Sequence, residues 1–150
     1  MLKIILIAVG KLKEGYLRDA VQSYSRDIRK KVPFEILEVP DEGVSVNSSA
    51  SEVEGVRVRE GKNILTHVKA HSFVFALDIQ GKRYRTSELK NMLQEISNSG
   101  YREIIFIIGG SNGLSSQVLN RANVRISFSP MTFPHQLMRV LLCEQIERCL

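Results

Sequence analysis

His135 stands directly after a proline at the start of an apolar C-terminal segment, and Arg139 follows four residues later. On a helix this spacing puts an imidazole and a guanidinium on one face. Such a pair at the edge of a ligand loop is a candidate for catalysis, although a capping or core role accounts for the same spacing equally well. A second constellation is Gly109-Gly110-Ser111-Asn112-Gly113, after the apolar run Ile104 to Ile108. Glycines there let the backbone approach a ligand with no Cβ in the way, and the helix start that follows offers free N–H groups. No Gly-Lys-Ser/Thr is present and the spacing is not G-x-G-x-x-G, so a tight strand-to-helix turn is the competing explanation. Lys82, Arg83 and Arg85, with Lys11 and Lys13, suit phosphates or a solvated face. Tyr84 among them suits stacking on a base or plain packing. His67 and His71 have metal-like spacing, but no cysteine or carboxylate set completes a site, so a solvated pair and no metal are expected.

These residues need a scaffold, and the composition allows an ordinary one. The chain has 150 residues, 43% apolar and 25% charged, which excludes a disordered, collagen-like or disulfide-stapled protein. One domain over residues 1–150 is expected. The net charge of +5 suits a polyanionic partner without requiring one. The N-terminal apolar run Ile4 to Val9 is too short for a secretory core or a membrane span, so a cytosolic protein is expected. Cys143 and Cys149 read as reduced core residues.

Strands are expected at Leu2 to Val9, Phe34 to Val39, Phe73 to Ile79, Ile104 to Ile108 and Val124 to Phe128. Leu17, Ala20, Val21, Tyr24 and Ile28 mark a first helix. Pro40 to Ser51 reads as a loop. Ser51 and Glu54 have the capping-box pattern and open a weakly amphipathic helix with Gly61 inside. Gly81 marks a turn before the basic cluster, and Ser87 a cap for the stripe Leu89, Met92, Leu93, Ile96. Leu114 to Ala122 suggests a short helix. The last helix, with Pro134 in its first turn, is apolar nearly all round from Leu137 to Cys143, so it must be covered on more than one side. Strands alternating with helices imply a parallel α/β sheet. Ligands bind such sheets beyond the carboxyl ends of the strands, where three loops qualify: after Leu77, after Ile108, and from Phe128 to Phe133.

The opening Ile-Ala-Val-Gly-Lys-Leu-Lys-Glu, Glu38-Val39-Pro40-Asp41-Glu42, Ile107 to Leu114, and Ser127 to Arg139 together resemble the bacterial ribosomal large-subunit RNA pseudouridine N3-methyltransferases, of the SPOUT class. The resemblance runs through nearly the whole chain in the same order. It implies a parallel sheet flanked by helices with a C-terminal trefoil knot, a rare exception to unknotted connections. It implies a homodimer that buries the last helix against its mate and acts on 23S ribosomal RNA in the assembled ribosome. S-adenosylmethionine would lie against Leu77, Gly109, Gly110, Phe128, Ser129, Pro130, Met131, Thr132 and Phe133.

Methyl transfer to a pyrimidine ring nitrogen is an in-line displacement at a sulfonium methyl, and the nitrogen must lose its proton. The resemblance carries His135, Arg139 and Arg148 over as the catalytic residues. Family chains have tyrosine where this one has Glu147 and continue about a turn and a half further to a Tyr-His end. For a chain ending at Leu150 the resemblance therefore implies either a truncated sequence or an impaired protein, and a non-catalytic knotted dimer that binds cofactor or RNA is the alternative function.

Overall fold

Along the first strand Ile4 and Leu6 join one apolar cluster, while Ile5, Ile7 and Val9 join another. Ile104, Phe106 and Ile108 divide from Ile105 and Ile107 in the same way. Successive side chains of a strand point to opposite faces, so a strand apolar at every position needs cover on both. A computed structural model describes residues 2–43 and 47–150 and shows that cover. Strands β1 (Lys3–Val9), β2 (Phe34–Val39), β3 (Ser72–Arg83), β4 (Glu103–Ile108) and β5 (Val124–Ser127) form one sheet in the order β2-β1-β4-β3-β5. Every pairing is parallel. Helices α1 (Gly15–Arg29), α3 (Thr86–Ser97) and α5 (His135–Cys149) cover one face, and α2 (Ala50–Leu65) and α4 (Ser116–Arg121) the other. The Phe75 and Phe106 rings stack at 4.8 Å in the middle of the larger cluster. Each fully buried ring contributes about 1.5–3 kcal/mol.

Three expectations are corrected. The second helix starts earlier, because the capping box is Ser49 with Glu52 rather than Ser51 with Glu54: Glu52 N donates to Ser49 Oγ at 3.1 Å, and Ser49 N donates to the Glu52 carboxylate at 3.3 Å. The third helix is entered at Arg85, whose N–H donates to Glu88 Oε1 at 2.8 Å, so Ser87 lies inside the first turn instead of capping it. The third strand does not end at Ile79. Its pairing with β5 breaks after Leu77 and resumes at Lys82, so residues 78–81 bulge out and the strand runs on to Arg83. Gly81 serves that bulge, since a Cβ there would stand 2.7 Å from the Arg125 backbone. Of the expected loop from Pro40 to Ser51, residues 44–46 lie outside the described residues. His67 and His71 are exposed, and no group of metal-ligating side chains occurs among the described residues. No helix among them is long and apolar enough to cross a membrane.

Candidate active site

The sheet order sets β4, β3 and β5 side by side, so three loops far apart in sequence leave their carboxyl ends together. Between them lies a cleft of about 790 Å3, within the ~300–1,000 Å3 usual for small-molecule sites. The β3 bulge brings Leu77, Asp78 and Ile79 to its wall, the glycine segment brings residues 109–114, and the loop after β5 brings Phe128, Ser129, Met131, Thr132 and Phe133. Pro130 is solvent-exposed outside the wall. The rest of that last loop is self-braced, with the Ser127 hydroxyl donating to the Ser129 carbonyl at 3.1 Å and Met131 N–H to the Ser129 hydroxyl at 3.0 Å.

The glycines work differently from the expectation. A Cβ at Gly109 would stand 2.9 Å from the Gly113 carbonyl carbon and oxygen, and one at Gly110 would stand 3.2 Å from Val9 Cγ1. Both missing side chains therefore point into the fold, and bare backbone is what lets the loop close. Gly113 N–H donates to the Gly110 carbonyl at 3.1 Å, with Gly113 at φ +79°. The tight turn and the ligand wall are one structure.

Of the three candidate catalytic residues, His135 lines the cleft at the first position of α5. Arg139, one turn on, is 2% exposed and turned inward: it donates to Glu38 Oε2 at 2.5 Å and to the Gly10 carbonyl at 3.1 Å. It thus ties the start of α5 to the ends of β1 and β2. Arg148 is exposed and paired with Glu144 on its own helix. It lies thirteen residues from His135, roughly 20 Å along the axis. Glu147 pairs with Lys31 at 3.4 Å. Cys143 and Cys149 are free and buried, and burial pushes the Cys143 thiol up to about 12, which makes it unreactive. Two further wall residues, Arg57 of α2 and Asp78 of the bulge, sit in no motif and carry no signal in the sequence.

The family described as Predicted SPOUT methyltransferase matches residues 2–150. The chain belongs to the SPOUT methyltransferase family. Its relatives include the "Ribosomal RNA large subunit methyltransferase H" of Clostridium botulinum strain 657, 47% identical over 98% of this chain and 92% of the relative. The protein of the same name from strain Loch Maree is 46% identical over the same shares. A solved "Probable Methyltransferase from Bordetella pertussis Tohama I" shares the SPOUT fold at a TM-score of 0.56 and 13% identity, covering 99% of this chain and 96% of that one. A methyltransferase needs a methyl donor.

Proposed function

We propose that this chain transfers a methyl group from S-adenosylmethionine to N3 of a pseudouridine in 23S ribosomal RNA. The observation that carries the reading is the convergence of three loops on one cleft with His135 in its wall. The names of the C. botulinum relatives support ribosomal RNA of the large subunit as substrate. The wall suits the donor: apolar Leu77, Leu114 and Met138 for a flat purine, backbone polar groups of the glycine turn to orient it, and one cation and one anion, Arg57 and Asp78, for a zwitterionic tail. When bound, S-adenosylmethionine supplies an electrophilic sulfonium methyl.

The chain's own residues then have definite tasks. His135 is the wall residue able to take the N3 proton or fix the ring that loses it. Arg139 is a positioning residue, since its bonds to Glu38 and Gly10 hold the first turn of α5 against the sheet. Arg148 is too far along α5 to share a substrate with His135 of its own protomer. The two meet one base only if a second copy packs its α5 alongside, which supports a homodimer with composite sites. A ribosomal substrate goes with a cytoplasmic protein.

The test is mass spectrometry of 23S RNA from cells lacking the gene, followed by incubation of those ribosomes with the purified protein and S-adenosylmethionine carrying a labelled methyl. Label on N3 of a pseudouridine that is unmethylated in the mutant supports the reading. Label elsewhere, or none, overturns it. One observation favours a second reading, a knotted dimer that binds without turnover: His135 is the sole candidate catalytic residue on the wall within one protomer. Cofactor binding without methyl transfer is its signature.

A further inference from the structure

We propose that Arg57 holds the carboxylate of the methionine end of S-adenosylmethionine. The inference rests on the methyl-donor reading above and adds the residue that selects for an amino-acid tail. Its origin is Gly61. A Cβ at Gly61 would stand 2.3 Å from Ser115 Oγ and 3.3 Å from Val118 Cγ2, so bare backbone alone lets α2 lie this close to the start of α4. That start is where the glycine segment ends. Arg57 precedes Gly61 by four residues and shares its face, so the same approach carries Arg57 to the cleft wall.

The guanidinium arrives with its donors unspent. Its Nε is buried without a hydrogen bond. Glu54 Oε2 lies 3.3 Å away, close enough for attraction but out of line for the N–H. Among the described residues no hydrogen bond from the terminal nitrogens occurs, and the side chain remains 33% exposed toward the cleft. A planar fork of this kind matches a carboxylate with two parallel N–H···O bonds. Adenosine offers no anion, and the carboxylate is the donor's one negative group. Asp78 on the same wall attracts the sulfonium or ammonium and repels a phosphate, so the pair reads a zwitterion rather than an RNA backbone.

Calorimetry with two compounds decides it: S-adenosylmethionine, and its decarboxylated form, which lacks only the carboxylate. Arg57→Gln should weaken S-adenosylmethionine about tenfold, or ~1.4 kcal/mol, and leave the decarboxylated compound unchanged. Arg57→Lys, which keeps the charge but not the fork, should fall between and serves alone if Arg57→Gln does not fold. Unchanged S-adenosylmethionine affinity overturns the assignment, as does equal loss for both compounds. A loss of ribosome affinity with cofactor affinity intact moves Arg57 to the RNA and also overturns it. A parent protein that binds neither compound overturns the methyl-donor reading itself, which is a different result.

Discussion

Gly109 shows how a single missing methyl serves folding before it serves a ligand. Alanine there would drive its Cβ against the Gly113 carbonyl at 2.9 Å, an overpacking that costs about 1–3 kcal/mol. Gly109→Ala should therefore lower the melting temperature and weaken S-adenosylmethionine binding together. Weaker binding at an unchanged melting temperature would show that the Cβ meets the ligand and not the loop. Glu60, under the neighbouring Gly110, gives a pH prediction. It is 3% exposed, Oε2 accepts from Glu42 N–H at 3.1 Å, and Oε1 has no hydrogen-bond partner among the described residues. Burial, with Asp41 and Glu42 nearby, raises its pKa above 4.5 despite the Glu42 N–H, which opposes the shift. Between 4.5 and that raised value the folded state binds more protons than the unfolded one, so stability falls as pH rises. Glu60→Gln should melt higher at pH 7 to 8, by roughly 2–4 °C for each kcal/mol relieved, and the advantage should vanish below about pH 4.5. An advantage independent of pH in thermal melts would exclude ionisation as its cause.

The elements divide into those whose signals are local and those shaped by a neighbour. β2 matches its expected bounds because its apolar run is closed by Pro33 and Pro40, and β1, which starts one residue later than expected, ends where expected because Gly10 follows it. β3 runs past its expected end because the bulge at 78–81 answers to the backbone of β5, which the local sequence does not contain. The three cleft loops were readable from the rule that ligands bind beyond strand ends, but Arg57 was not, since a lone arginine on a weakly amphipathic helix has no pattern. From Leu137 to Cys143 the sequence of α5 is apolar nearly all round, and the structure divides that surface. Leu142, Cys143 and Ile146 are buried within the chain, where α5 packs on α1 and α3. Leu137, half-buried Leu141, and exposed Met131 and Phe133 stay uncovered. Such a patch suits an isologous interface. Leu137→Glu should leave the protomer folded and convert a dimer to monomers in light scattering at micromolar concentration. A monomeric parent would remove the interface.

At the scale of the molecule the net charge of +5 becomes a local field. Lys82, Arg83 and Arg85 are exposed at the end of β3 and the entry to α3, and among the described residues they form no ion pair. Lys82 Nζ lies 5.1 Å from the Tyr84 ring centroid. Arg148 is already paired with Glu144. Ribosome binding should weaken with salt, and replacing Lys82, Arg83 or Arg85 with alanine should each flatten the log-log slope by about one unit. Arg148→Ala should flatten it less. A salt-independent affinity would take all four off the RNA face. The bond from Arg139 back to Gly10 spans 129 residues, and the one to Glu38 spans 101. Contacts of that span close late and slowly, because the loop entropy must be met before they form. During synthesis, α1 emerges early yet waits for α5 to cover its apolar face. The Arg139 bonds thus make the docking of α5 the step that completes the protomer, because they join it to β1 and β2 across most of the chain.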